Sequence, residues 1–143
     1  MSSSLRAGIE ALMPPAAHGD SDSTDTDTAP PVEGALVCLG DMPLVTGRII
    51  DRMLAAHDAD EGRRIVVPVH AGQMGNPILW DRMFFSALLG MTGDGGGGRR
   101  IIREHGELVA EVEADDAVLR DFDTKESLAT LPPRLRPAEI DAG

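Results

Sequence analysis

Two groups of acidic residues in this sequence could carry chemistry. Asp41 follows shortly after an apolar run at residues 34–39, and Asp121 and Asp123 lie ahead of a helical pattern late in the chain. Hard divalent cations such as Mg²⁺ take one or two carboxylates and complete their coordination with water and substrate phosphates, so both groups could hold one ion. Aspartate also caps helices and closes turns, and on this pattern alone that structural role is as well supported as a metal site.

The elements around Asp41 predict its position in a fold. The run at residues 34–39 is continuous and apolar, as in strands buried on both faces, and the apolar spacing after Thr46 predicts a helix. A β-branched run at residues 64–69 completes a strand–helix–strand unit. Such units form parallel sheets whose ligands bind beyond the carboxyl ends of the strands, and we expect Asp41 at the end of a central strand.

The rest of the chain is predicted to add elements to this unit and to contain one domain. One domain over residues 1–131 is expected, because 143 residues leave little room for a second core. The other predicted elements are a helix that begins at the serines 2–4, a helix over residues 78–89, a helix over residues 99–105, a strand over residues 107–113 and a closing helix after residue 124.

Two segments are predicted to remain outside the packed core. Residues 18–31 lack any large apolar side chain and are expected to form a flexible surface loop. The aspartates of this loop do not match a calcium-binding loop, which needs a glycine and a glutamate where Asp25 and Pro31 stand. Residues 132–143 begin with two prolines and are predicted to be a disordered tail.

Composition restricts the partners and the location of the protein. Thirteen basic and 24 acidic residues give a formal net charge of -11, which opposes nucleic-acid binding because Lys and Arg supply most of that affinity. No apolar stretch reaches the roughly 18 residues of a membrane span, and no secretory signal pattern opens the chain, so a cytoplasmic protein without membrane contact is expected. Cys38, the only cysteine, is expected to be a buried apolar side chain.

Five stretches of the chain together resemble a known family. They are S-S-S-L-R-A-G-I at residues 2–9, L-G-D-M-P at 39–43, G-N-P-I-L-W at 75–80, G-D followed by Arg99 at 93–99, and D-F-D-T at 121–124. In order and approximate spacing they resemble the MobA-like nucleotidyltransferases, especially the molybdenum cofactor cytidylyltransferases of the MocA type. The resemblance implies an α/β fold of the Rossmann-like, doubly wound kind with a mainly parallel sheet.

The resemblance also implies roles for single residues. Asp41 matches the family's catalytic metal ligand for Mg²⁺, and Asp121 or Asp123 matches the second carboxylate on the metal. Asn76 matches the substrate-side asparagine, and Arg99 is a further candidate for binding the substrate phosphate. The implied reaction joins the cytidylyl group of CTP, or the guanylyl group of GTP in relatives, to the terminal phosphate of a molybdopterin-type cofactor and releases pyrophosphate.

The sequence departs from the family pattern at several places. The turn at residues 95–98 is one residue longer, and Lys125 stands where the family has proline. The family's L-A-A-G-x-S-x-R-M-G segment, which grips the nucleotide phosphates, is found nowhere in these 143 residues. The resemblance therefore implies a domain truncated at its N-terminus, which an upstream polypeptide could complete. Two alternatives stay open: an inactive binding module, and a nucleotidyltransferase that acts on a sugar or another phosphorylated acceptor.

Overall fold

The computed structural model describes residues 3–13, 31–91, 97–122 and 124–135. The α-helices in these segments are α1 (Ser3–Leu12), α2 (Gly47–Ala56), α3 (Phe85–Leu89), α4 (Gly97–Glu104) and α5 (Lys125–Ala129). The strands are β1 (Gly34–Val37), β2 (Ile65–His70), β3 (Gln73–Met74), β4 (Ile78–Asp81) and β5 (Val109–Glu113). Short 3₁₀ helices cover Arg82–Phe84, Gly106–Leu108, Asp116–Leu119 and Pro133–Leu135. No helix among the described residues is long and apolar enough to cross a bilayer.

The strands form one mixed sheet in the order β1-β4-β2-β3, with β5 also paired to β2. β4 lies between β1 and β2 and is antiparallel to both, so β1 and β2 point the same way. β5 pairs parallel with β2 from Ile65↔Val109 to Val69↔Glu113. Three strands therefore share one direction, and their carboxyl ends lie at the same end of the sheet.

The predicted strand–helix–strand unit is present, but its two strands are not neighbours, because β4 is inserted between them. The helix predicted over residues 78–89 is wrong at Ile78–Asp81 and correct only for its later part, where α3 ends at Gly90. Leu79 and Trp80 are both buried and belong to clusters on opposite faces of the sheet, as consecutive strand residues must. A short apolar run fits either element, and pairing with two distant strands decides it.

The core is divided between the two faces of the sheet. On one face, Ile9 of α1, Leu88 of α3 and Ile101 of α4 pack with Trp80 and with alternate residues of β2. On the other face, Ile49 and Met53 of α2 pack with the remaining residues of the sheet and with Val118. Helices thus cover both faces of this mixed sheet, which is the layered α/β arrangement that the family resemblance implies.

Residues outside these layers differ from the sequence predictions in part. Cys38 is exposed rather than buried, because β1 is only half-buried and is the outermost strand on its side of the described sheet. The predicted loop at 18–31 lies outside the described residues except for Pro31. Pro133–Leu135 forms a 3₁₀ helix, and the rest of the predicted tail, 136–143, lies outside the described residues.

Candidate functional site

Asp41 lies beyond the carboxyl end of β1, where the strand-end rule places ligands. Asp41 is half-buried, and its backbone carbonyl oxygen accepts a hydrogen bond of 2.8 Å from the backbone N–H of Phe122. No hydrogen bond or ion pair between described residues engages the Asp41 carboxylate. None of the lone pairs of its oxygens is therefore used by the part of the chain that the structure describes, which leaves them available to a ligand there.

A backbone hydrogen bond brings the segment that contains Asp121 next to Asp41. Asp121 is exposed and directly precedes Phe122, whose ring is buried at 5% exposure and whose N–H bonds to Asp41. The two acidic segments, distant in sequence, are therefore adjacent in the fold. Asp123 lies outside the described residues, so the structure tests neither its position nor the predicted choice between it and Asp121.

One segment, residues 118–122, also connects Asp41 to Asn76. The Val118 carbonyl oxygen accepts a hydrogen bond of 2.9 Å from the Asn76 backbone N–H, and the other end of the segment bonds to Asp41. Val118 itself is fully buried in the core. The segment is thus fixed to the sheet and positions the loops that carry Asp41 and Asn76 relative to each other.

Local sequence explains why these loops can approach so closely. A Cβ atom on Gly75 would lie 2.2 Å from the Val118 carbonyl oxygen, so only glycine fits beside this segment. Asp115 begins the 3₁₀ helix that contains Val118, and its side chain accepts a hydrogen bond from the Ala117 N–H. The glycine of the G-N-P motif and this cap therefore bring residues 75–76 and 118 together.

Asn76 and Arg99 line one cleft of about 370 Å³. Its floor includes Trp80, against which the first turn of α4 packs closely, since a Cβ on Gly98 would lie 3.4 Å from the indole ring. Most of the other lining side chains are apolar: Leu5, Val37, Leu39, Met74, Ile78, Leu88 and Met91. Trp80 is buried in the core at 3% exposure, and its contact with the cleft depends on α4, which no local sequence pattern reveals.

The donor set at the carboxyl end of the sheet fits a hard divalent cation. Asp41 and Asp121 belong to segments joined by a backbone hydrogen bond, and Mg²⁺ takes only one or two carboxylates when substrate phosphates and water complete its coordination. No group of three or more His, Cys, Asp or Glu side chains with metal-site geometry occurs among the described residues, so a site made of protein ligands alone is not formed there. The arrangement suits a metal that arrives with a phosphorylated substrate.

A third aspartate, at the opposite end of the sheet, has a different environment. Asp81 lies beside Gly34, at the amino end of β1, and its side chain is 7% exposed. His57 Nε2 lies 2.9 Å from one carboxylate oxygen, and Arg64 Nη1 and the Met83 N–H are at 3.4 Å and 2.9 Å from the other. This carboxylate is already saturated by protein donors, so it has little capacity left for a ligand.

Comparison with known proteins identifies the fold and the family. The sequence matches the family model of the MobA-like NTP transferase domain over residues 1–109. No curated protein matches the sequence. The structure is similar to that of the Rv0371c homologue from Mycobacterium sp. strain JC1, with a TM-score of 0.64 and 26% identity, over 90% of this chain and 55% of that one.

A second similar structure is that of Rv0371c from Mycobacterium tuberculosis H37Rv, solved as a complex with manganese. Its TM-score is 0.63 at 23% identity, over 94% of this chain and 60% of that chain. The chain thus corresponds to less than two thirds of the length of either neighbour. The family model covers most of the sequence, and the layered fold agrees with it. The chain therefore belongs to the MobA-like NTP transferase domain family, a family of nucleotidyltransferases.

Proposed function

We propose that this chain is part of a nucleotidyltransferase that transfers the cytidylyl group of CTP to the terminal phosphate of a molybdopterin-type cofactor. The observation that carries the proposal is the hydrogen bond between the Phe122 N–H and the Asp41 carbonyl oxygen. It sets two carboxylate-bearing segments side by side beyond the end of β1, where a metal–nucleotide complex would bind. GTP is the alternative donor, since the described site contains no group that selects the base.

In this mechanism Asp41 and Asp121, or Asp123 in place of Asp121, would hold Mg²⁺. When bound, the ion neutralises charge that develops on the reacting phosphates. The acceptor phosphate attacks the α-phosphorus in line and pyrophosphate leaves, with no covalent intermediate on the protein. Asn76 orients the acceptor through its side-chain amide, and Arg99 binds the acceptor phosphate at the rim of the cleft. The manganese complex of Rv0371c supports a divalent cation in this fold.

The cleft favours a flat, conjugated acceptor over a sugar. Its lining is largely apolar, with Trp80 on the floor and polar side chains only at Asn76 and Arg99. A sugar would leave several hydroxyl groups without hydrogen-bond partners there, which costs binding energy. A fused heterocycle carrying a terminal phosphate suits this combination better.

Triphosphate binding requires groups in addition to Asp41, Asp121, Asn76 and Arg99. Preorganised backbone N–H donors and cationic side chains supply most of the electrostatic stabilisation in phosphoryl transfer. We propose that an L-A-A-G-type segment outside these 143 residues supplies them, consistent with the 55% and 60% coverage of the two structural neighbours. Without it, the chain would be an inactive binding module.

Pyrophosphate release from CTP with Mg²⁺ and molybdopterin tests the proposal. The assay compares the 143-residue chain, the same chain preceded in frame by an L-A-A-G-type segment, and that extended chain with Asp41→Ala. We expect activity only in the second, because each lost phosphate donor costs about 2.7–4 kcal/mol of transition-state stabilisation. Asp51→Ala in the extended chain is the matched control, since Asp51 is an exposed aspartate of α2.

Other outcomes would contradict parts of the proposal. Activity that survives Asp41→Ala would remove Asp41 from the metal site. Equal rates for the short and extended chains would show that the additional segment is not required. Activity with a sugar 1-phosphate in place of molybdopterin, and none with molybdopterin, would favour the sugar nucleotidyltransferase alternative.

A further inference from the structure

His70 is the last residue of β2 and lies at the same end of the sheet as Asp41. The residue is half-buried, and its imidazole Nδ1 lies 2.9 Å from the carbonyl oxygen of Ala114. A carbonyl oxygen can only accept a hydrogen bond, so Nδ1 carries a proton and is the donor. This bond joins positions 44 residues apart in the sequence, at the point where the chain leaves β5.

The bond holds the first residue of the segment that leads to the candidate site. Ala114 directly follows β5, and its N–H donates to the Val69 carbonyl oxygen over 2.9 Å. The His70 imidazole engages the carbonyl group of the same residue, which is buried at 9% exposure. From Ala114 the chain passes through a 3₁₀ helix to Phe122, whose N–H bonds to Asp41. Both backbone polar groups of Ala114 are therefore fixed to the end of β2.

The backbone of His70 is itself fixed by β3, the strand that leads into the G-N-P motif. His70 pairs with Gln73 in an antiparallel register. The turn between them is tight, with Ala71 at a φ of 49° and Gly72 at a φ of 78°, both in the left-handed region. The imidazole therefore extends from a fixed backbone position when it holds the Ala114 carbonyl group.

We infer that His70 is a positioning residue for the metal site, an inference that rests on the proposed function for the identity of that site. Its Nδ1–H holds the segment at residues 114–122 against β2, and this keeps Asp121 next to Asp41. Without the donor, the Ala114 carbonyl group would lose its imidazole partner, and the segment would shift to reach water. Residues that orient metal ligands from behind change metal affinity or activity about 10- to 100-fold when they are replaced.

The strand that precedes this segment is held independently of His70. β5 is paired with β2 along its whole length, and Val112 and Val118 pack in the core beneath α2. Loss of the imidazole donor should therefore act on the segment beyond the ladder and leave the β2–β5 ladder in place.

Amide hydrogen exchange in the 143-residue chain tests this role without metal or substrate. His70→Asn and His70→Leu introduce side chains of similar size and shape, but only asparagine places an N–H donor near the position of Nδ1. In His70→Leu we expect exchange at the Phe122 amide to be about tenfold faster than in the wild-type chain, because local opening of the segment becomes easier. His70→Asn should restore the wild-type rate, and His70→Ala repeats the test with a smaller side chain. Amides of the β2–β5 ladder should be unchanged in all three variants.

His105→Leu is the matched control. This residue is also half-buried, and its imidazole packs against the ring of Phe84 at 5.2 Å between centroids. Its replacement should leave exchange at Phe122 unchanged, because it removes an imidazole that does not hold the segment at residues 114–122.

Mn²⁺ binding to the extended chain in the presence of CTP connects this role to the site. The electron paramagnetic resonance signal of the free ion measures the affinity. His70→Leu should weaken binding about tenfold, and His70→Asn should bind as the wild-type chain does.

Several results would overturn the inference. They are unchanged exchange at Phe122 in His70→Leu, faster exchange throughout the β2–β5 ladder, failure of His70→Asn to restore the rate, and unchanged Mn²⁺ affinity despite faster exchange. An extended wild-type chain that binds no Mn²⁺ with CTP would contradict the proposed metal site, and the inference with it. Binding of Mn²⁺ and CTP without release of pyrophosphate would contradict only the proposed reaction.

Discussion

Aspartates lie at both ends of the sheet, but their carboxylates differ in the number of hydrogen bonds that they accept from described residues. At the amino end of β1, Asp81 is buried and accepts from His57, Arg64 and the Met83 N–H. At the carboxyl end, the side chains of Asp41 and Asp121 have no hydrogen bond or ion pair with any described residue, although their backbones are held close together. An aspartate saturated by protein donors stabilises the fold, whereas one whose oxygens are unengaged is available to a ligand.

The largest effect on stability is expected from Asp81→Ala. Removing one partner of a buried ionic cluster leaves His57 and Arg64 unpaired, which costs about 3 kcal/mol of the free energy of unfolding. Urea denaturation followed by circular dichroism measures it. Asp41→Ala is the control and should change the free energy of unfolding by less than about 0.5 kcal/mol, as expected for a side chain that makes no hydrogen bond or ion pair with the described residues. Similar losses for both variants would show that the Asp81 carboxylate contributes no more to stability than the Asp41 carboxylate does.

A smaller loss is expected from Gly75→Ala, which acts through the segment at residues 118–122. The new Cβ would overlap the Val118 carbonyl oxygen, and overpacking of this kind costs about 1–3 kcal/mol. Gly106→Ala is the matched control, since no atom lies within 4 Å of a Cβ there. A thermal melt of both variants measures the difference, and equal melting temperatures would show that residues 75 and 118 do not touch as described.

The smallest effect is expected at the exposed pair on α4. The hydrogen bond from Arg100, and secondarily the attraction of its charge, lowers the pKa of the Glu104 carboxyl. A lowered pKa means that any contribution to stability is present at neutral pH and lost as the pH falls through that pKa. Because both groups are exposed to water, Glu104→Gln should leave the melting temperature at pH 7 unchanged within error. A clear drop would mean that this exposed ion pair contributes measurably to stability, against the expectation for surface charges.

Local sequence patterns predict many of the helices and strands, but they do not predict how these elements pair and pack. The apolar runs locate β1 and β2, and the strand-end rule places Asp41 correctly beyond the carboxyl end of β1. However, β1 is an outer strand of the described sheet and not the expected central strand, because β4 is inserted between β1 and β2. The strand Ile78–Asp81 is not predictable in this way, because four apolar-rich residues suit a helix or a strand until two distant strands pair with them. The exposure of Cys38 likewise depends on β1 lying at the edge of the described sheet.

For the candidate site as well, the sequence identifies the residues but does not predict which of them lie close together. The sequence contains the aspartates and Asn76, and the family resemblance assigns their roles. The hydrogen bonds that join residues 41 and 76 to the segment at 118–122 span from 42 to 81 positions of the chain, and no spacing rule predicts such contacts. The saturation of Asp81 is similarly invisible in sequence, because its partners His57 and Arg64 come from the end of α2 and the start of β2.

Titration with manganese together with CTP, followed by amide NMR, tests most directly the claim that Asp41 and Asp121 form the metal site, because substrate phosphates complete the coordination of the ion. Paramagnetic Mn²⁺ broadens the resonances of nearby nuclei, so the amides of Asp41 and Phe122 should broaden at the lowest metal concentrations. The amides around Asp81 should be unaffected. Asp41→Asn should abolish the local broadening, while Asp51→Asn should not. Broadening that persists at Phe122 in Asp41→Asn, or that begins around Asp81, would contradict the account.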